Sequence, residues 1–322
     1  MNSHNPQSLF KYLSFGERLL DQLCRDEVYY AAPASFNDPL DCQPVVKADI
    51  SEDALERLLA EMAGRRLGKE IDMAMKKVKL QGKETTAHLN ALTGSETRKL
   101  IENFKYNATN PEINDQLAYY RNALTLEIER EMRKGYDRGV LCLSRKFDSP
   151  LMWSHYADQH RGVCIEYDVS MLKPHELHQI TYGASREVLT SQLRDFIFEN
   201  SESARNAIDK ACLLTKASEW RYEREWRILG QLGSQASPLK LKSIIFGMNC
   251  PDTLQHTIEK ALKGRDEEVK FWVIKKPSKL FKLKRERIDT NDNTPSFPQM
   301  SVIGMFEDLT VTDEPNVGIP DN

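Results

Sequence analysis

A chain of 322 residues with 40% hydrophobic side chains has enough apolar material for a sizeable core, as one elaborated domain or one core with a large insertion. Charged residues make up 29% and the formal net charge is -3, which excludes a global bias toward nucleic acid or anionic membrane and leaves any basic face local. No stretch reaches the roughly 20 apolar residues of a membrane-spanning helix, and the opening MNSHNPQSLFKYLS lacks the cationic start and apolar run of a secretory signal.

The chain opens as strand, helix, strand. Leu9 to Leu13 is apolar and aromatic, Gly16 to Arg25 carries Leu19, Leu20 and Leu23 at helical spacing, and Val28 to Tyr30 is β-prone up to Pro33. A turn follows through Ser35-Phe36-Asn37-Asp38-Pro39. From 51 to 135 the pattern is helical and reads as an insertion or lid. Leu55, Leu58, Leu59 and Met62 form one stripe, and a longer helix from about Asn110-Pro111 carries Tyr120, Leu124, Ile128 and Met132 up to Gly135.

Strand character returns at Gly139 to Ser144. Ser149 and Pro150 then open a helix, with Gly162 past its end, and Val163 to Asp168 is a strand. Further on, Arg221 to Leu229 and Leu241 to Phe246 read as strands, and a helix runs from Pro251 toward Gly264. Val269 to Ile274 and Leu280 to Leu283 suit a hairpin around Pro277. The fold class is α+β: a mixed, mostly antiparallel sheet with surrounding helices, forming one domain over 9–288 with the helical insertion at 51–135. Residues 289–322 form a polar tail. The six scattered cysteines include no C-x-x-C pair, which suits reduced thiols and a cytoplasmic location.

Three segments have the residue types for chemistry. In Phe36-Asn37-Asp38-Pro39-Leu40-Asp41, Asn37 and Asp38 can bond their own backbone while Pro39 holds Asp38 extended, so two carboxylates sit at the end of a strand. That arrangement suits a loop fixing a hydroxyl, a ribose or a metal ion, or simply a rigid turn. In the segment from Met152 to Gly162, Trp153, Tyr156 and His160 fall at i, i+3 and i+7 and would share a helical face. With Ser144 nearby, they would make a wall for a planar ligand, or a stripe packed into the core. In the segment from Glu219 to Leu229, a strand would point Tyr222, Trp226 and Ile228 one way and Arg221, Glu223, Glu225 and Arg227 the other. This charged row is either a solvated face or an active-site row in which Arg227 orients an anion. A basic run, Lys275 to Arg287, offers phosphate contacts to nucleic acid or the lysines of a protected sheet edge. Cys142, Cys164, His155 and His160 lack zinc-ligand spacing, and no metal site is assigned.

Taken in order, an L-[FY]-[KR]-Y strand, FNDPLD, a strand ending in Ser before MWSHYADQHRG, and W-x-x-E-x-E-W-R resemble the bacterial domain-of-unknown-function family 2971 over roughly Leu9 to Leu283. The strand order is also similar to the ADP-ribosyltransferase layout, a topological analogy. That second resemblance implies NAD as co-substrate, with Tyr12 or Lys11 at the riboside and Tyr156 or Ser144 at the nicotinamide. It places Glu225, with Glu223 two residues before it, at the developing oxocarbenium charge. Where that family has His or Arg at the first position, this chain has neither.

The leading expectation is therefore an ADP-ribosyltransferase-like or NAD-consuming enzyme. Glu225, Glu223 and Tyr156 would be catalytic, and Tyr12, Asn37, Asp38, Ser144, Trp153, His160 and Arg227 would bind a nucleotide-like ligand. The alternatives are a non-catalytic binding or interaction protein, such as a sensor in a stress or phage response, and a metal-dependent hydrolase of nucleic acid or nucleotide. The hydrolase would use Asp38, Asp41, Glu223 or Glu225 with His160.

Overall fold

The computed structural model describes residues 6–77, 83–135, 138–276 and 282–289. The chain begins β1 (Ser8–Leu13), α1 (Glu17–Arg25), β2 (Glu27–Tyr30) and β3 (Val45–Lys47). Three helices follow, α2 (Glu52–Lys77), α3 (Lys83–Ala108) and α4 (Gln116–Gly135), and then β4 (Arg138–Ser144), α5 (Pro150–Tyr156) and β5 (Val163–Asp168). Short strands β6 (His178–Gln179), β7 (Thr181–Tyr182) and β8 (Glu187–Leu189) lead to α6 (Thr190–Glu199), α7 (Glu202–Leu213) and β9 (Thr215–Lys216). The last part holds β10 (Glu225–Gln231), β11 (Gly233–Ala236), β12 (Lys240–Phe246), α8 (Asp252–Ala261), β13 (Lys270–Lys275) and β14 (Lys284–Arg287).

Eight strands form one sheet in the order β14-β13-β12-β5-β1-β4-β10-β6. Only the β12–β13 pair is parallel among its described neighbours, so the fold is α+β with a mixed, mostly antiparallel sheet. The first five residues of β5 are buried, as a strand covered on both faces requires. One face rests on a cluster that includes Leu9, Leu141, Leu143, Ile165, Trp226, Ile228 and Phe246, with Leu19 and Leu23 of α1 and Ile258 of α8.

The other face is shared by two clusters. Phe10, Tyr12, Cys164 and Ile245 pack with Met152 and Trp153 of α5, while Val140 packs with α2, α4, α6 and α7 through residues such as Leu58, Leu124, Ile128 and Ile208. The seam between these clusters is where the charged residues of β10 emerge.

Several elements differ from the sequence reading. The helix expected from Asn110-Pro111 starts at Gln116, because Asn110 turns back to accept from the Glu112 amide and Asp115 accepts from the Ala118 amide. The hairpin near the C-terminal end is present as antiparallel β13–β14, shifted to Lys284–Arg287; Pro277 and the tail beyond Asp289 lie outside the described residues. No described helix is long and apolar enough to cross a membrane.

Gly247, just after β12, allows one close approach. A Cβ there would lie 2.0 Å from the carbonyl oxygen of His160, a backbone atom with no freedom to retreat. Gly247→Ala is expected to lower stability by about 3 kcal/mol in denaturant unfolding. Gly64→Ala, in α2 with nothing within 4 Å, should instead raise it by about 0.5–1 kcal/mol.

Candidate functional site

Glu225 and Arg227 stand on the same side of β10, facing Ser144 and Cys142 of β4 across the ladder. Arg227 is fully buried and forks onto Glu225, with Nε to Oε1 at 2.7 Å and Nη2 to Oε2 at 3.1 Å. Its remaining donors reach Asp41 Oδ2 at 2.7 Å, the Leu213 carbonyl at 2.7 Å and Cys42 Sγ at 3.1 Å. Beside it, Lys216 Nζ contacts Glu223 Oε2 at 2.6 Å, Glu225 Oε2 at 3.2 Å and Asp41 Oδ2 at 3.3 Å. The second oxygen of Glu223 accepts from the Tyr156 hydroxyl at 2.6 Å, and the Asn37 side chain lies beside that hydroxyl.

Local backbone chemistry brings the two glutamates together. A 3-10 turn over Ser218–Glu223 ends at Arg224, whose left-handed φ of 50° reverses the chain before β10 begins. Ser144 pins that reversal by donating to the Glu223 carbonyl at 2.6 Å, while Arg145 donates its amide to the Arg224 carbonyl. The Tyr182 hydroxyl accepts from the Glu225 amide at 2.8 Å. On the other side, Asp38 accepts from the Leu40 amide at 2.8 Å and closes the turn that carries Asp41 inward.

Asp41, Glu223 and Glu225 face only Lys216 and Arg227, so five buried groups carry a net charge of -1 when all are ionised. Burial disfavours the charge on Glu225, but Arg227 and then Lys216 outweigh it and hold its carboxyl down at about 2. For Glu223 burial prevails over Lys216, and with the neighbouring charge of Glu225 its carboxyl is raised. Burial also works against charge on Lys216, yet Glu225, Glu223 and Asp41 together raise its pKa. Of the three carboxylates, Glu223 is the one whose surroundings favour the proton.

An aromatic group roofs this cluster. His155 lies 6.1 Å from Tyr156, 6.3 Å from Trp220 and 6.3 Å from Tyr222, and Trp220 and Tyr222 are 5.9 Å apart. The Trp220 indole N–H donates to Asp38 Oδ2 at 2.7 Å, and its ring lies 5.0 Å from Lys216 Nζ.

Of the residues singled out from sequence, Asn37, Asp38, Ser144, Tyr156, Glu223, Glu225 and Arg227 meet here. Tyr12, Trp153 and His160 form a separate aromatic group centred on Trp153 of α5. Tyr12 meets Trp153 edge-on at 5.2 Å and donates to the Lys146 carbonyl, and the fully buried Trp153 donates its N–H to the Phe147 carbonyl. Lys11 alternates with Tyr12 along β1 and so takes the opposite face.

Two expectations are corrected. His160 is not on the helical face of Tyr156: α5 ends at Tyr156 and Asp158, Gln159 and His160 all have positive φ. The imidazole stacks on Trp153 at 6.0 Å, and burial lowers its pKa. The strand expected from Arg221 starts only at Glu225, so Tyr222 joins the aromatic roof while Trp226 and Ile228 enter the core. Lys216 and Tyr182 carry no motif, while His155 and Trp220 lie inside the motifs without a role in the expected ligand wall. Lys216 follows the apolar end of α7 without any motif spacing, so only its unusual burial identifies it.

Within the basic run, Arg285 pairs with Glu166 and lies 4.7 Å over Phe147 and 4.6 Å over Trp272, while Arg287 pairs with Glu268. Among the described residues no group of three or more His, Cys, Asp or Glu side chains is arranged to hold a metal ion.

Fold and site together define an α+β protein with an ion cluster buried at the edge of its main sheet beneath an aromatic roof. Residues 152–228 match the model of a family described as a protein of unknown function (DUF2971), in agreement with the resemblance carried by the motifs. The matched span includes Tyr156, Lys216, Glu223, Glu225 and Arg227; the FNDPLD turn lies outside it. No curated protein and no solved structure matches the chain.

Proposed function

We propose that the protein is an NAD-consuming, ADP-ribosyltransferase-like enzyme whose working carboxylate is Glu223 rather than Glu225. The observation that carries this reading is the surplus negative charge beside Tyr156 and under the rings of His155, Trp220 and Tyr222. A planar cation such as the pyridinium of NAD suits an aromatic wall. Positive charge developing on the ribose when the bond to nicotinamide breaks would be stabilised by a carboxylate already in place. Glu225 and Arg227 act as positioning residues, because they grip each other, Asp41 and the Leu213 carbonyl, whereas Glu223 turns one oxygen to Tyr156 at the aromatic roof. The divalent-metal reading is disfavoured: Lys216 and Arg227 already occupy the carboxylate oxygens that an ion would need as direct ligands.

The deep burial of Glu223, 3% exposed, favours a second reading, in which a cationic planar ligand binds at the roof without reaction. Purified protein incubated with NAD labelled on the adenylate, with and without cell lysate, separates the two. Label transferred to macromolecules or released as ADP-ribose, lost in Glu223→Gln and reduced at least tenfold in Trp220→Ala, is the outcome expected of the enzyme. Saturable binding of NAD or nicotinamide mononucleotide without turnover would establish the binding reading. No binding and no turnover would sink both.

A further inference from the structure

A second site lies at the other end of β4. Arg138 begins that strand and Ser144 ends it, so the two places are about 20 Å apart along the sheet. There α2, α4, α6 and α7 line a half-open cavity of about 490 Å³, within the range of small-molecule sites. Its floor is apolar, with Met62, Met132, Leu193 and Ile208 all buried.

The cavity's wall is basic. Arg65, Arg66, Lys69, Lys134, Arg138 and Arg205 line it against Glu70, Glu131 and Asp209, and with Glu61 beside Arg65 the balance is six cations to four carboxylates, a local surplus of two positive charges in a protein whose net charge is -3. The three lining carboxylates pair with Arg66, Lys134 and Arg138. Arg65 pairs with Glu61, which is not part of the lining, and Arg205 is exposed, with its guanidinium 6.0 Å over the Phe196 ring. A low-dielectric floor beside surplus cations concentrates anions that also carry an apolar body.

We propose that this cavity binds an amphipathic anion, a carboxylate or phosphate head group on an apolar chain or ring, with the head held by Arg65 and Arg205 and the body on the Met62, Met132, Leu193 and Ile208 floor. The site is independent of the Glu223 cluster.

The test is calorimetric titration of the full chain with sodium dodecanoate below its micelle threshold, beside dodecanol and inorganic phosphate. Dodecanoate is expected to bind saturably and more weakly as salt is raised, and both controls are expected to bind less tightly. The double variant R65Q/R205Q should weaken dodecanoate about tenfold or more while still unfolding in one cooperative transition, with only the small loss due to the Arg65 contacts to Glu61 and the Ile197 carbonyl. Absence of dodecanoate binding, equal affinity for the alcohol and the carboxylate, or unchanged affinity in the folded double variant would each overturn the proposal.

Discussion

Replacing Arg227 with Met is expected to cost about 3–5 kcal/mol of folding stability. The guanidinium is fully buried and satisfies five acceptor contacts at once, on Glu225, Asp41, the Leu213 carbonyl and Cys42. Met has a similar length and would fill much of the volume, so the loss measures charge and hydrogen bonding more than cavity formation. Removing the cation leaves Glu225 and Asp41 buried, with Lys216 as the only remaining cation between them and Glu223. Arg227→Lys should recover little of the loss, since an ammonium cannot bridge the Glu225 oxygens, Asp41 and the Leu213 carbonyl in one fork. Guanidinium unfolding of the three proteins at neutral pH checks this. A loss below about 1 kcal/mol for the Met variant would mean that water or rearrangement satisfies the carboxylates and that the cluster does not fix the seam.

The elements legible in the sequence are those whose information is local. Leu55, Leu58, Leu59 and Met62, or Leu124, Ile128 and Met132, repeat at the helical period and become the buried side of α2 and α4. Ser149 and Pro150 announce the start of α5, where Ser149 caps the Met152 amide. The convergence of FNDPLD, Tyr156 and the Glu-x-Glu segment could be named by resemblance, but its geometry could not be read. It depends on β4 and β10 pairing Ser144 with Glu225, and on a loop some 180 residues upstream delivering Asp38 to Trp220.

The misreadings have physical causes. Alternation through Arg221, Glu223, Glu225 and Arg227 satisfies a strand template, but Arg224 adopts the left-handed conformation and no residue type there signals it. The periodicity of Trp153, Tyr156 and His160 assumes a helix that continues, whereas three left-handed residues after α5 swing His160 back onto Trp153. Lys216 is the sharpest omission. A lone lysine in a sequence is ordinarily solvated, and only the three carboxylates delivered from distant segments make its burial stable.

Opposite pH behaviour is expected for two carboxylates only two residues apart. Glu225 ionises more readily in the folded protein than in the unfolded chain, so it contributes stability above about pH 4.3 that is lost as pH falls toward 2. Its contribution is about 3 kcal/mol by the linkage relation, given a carboxyl held at about 2. Glu225→Gln should therefore be destabilising at pH 7 and progressively less so as the pH drops below 4. Glu223 is raised, so its folded form prefers the proton: its stabilising influence is present below about pH 4.3 and is lost as the pH rises through its folded value.

Glutamine imitates that protonated state, its carbonyl accepting from Lys216 while its amide donates to the Tyr156 hydroxyl oxygen, so Glu223→Gln should stabilise the protein at pH 7 and lose the gain near pH 3. Urea unfolding of wild type and both variants from pH 3 to 7 tests the pair, with refolding at each pH to establish reversibility. If both variants destabilise at neutral pH, the surplus negative charge does not reside at Glu223 and the assignment of roles within the cluster is wrong. If Glu223→Gln alone stabilises, the protein carries strain at the residue proposed to meet the ligand. A cation entering under Trp220 and Tyr222 would then relieve that strain, tying the stability measurement to the chemistry of the site.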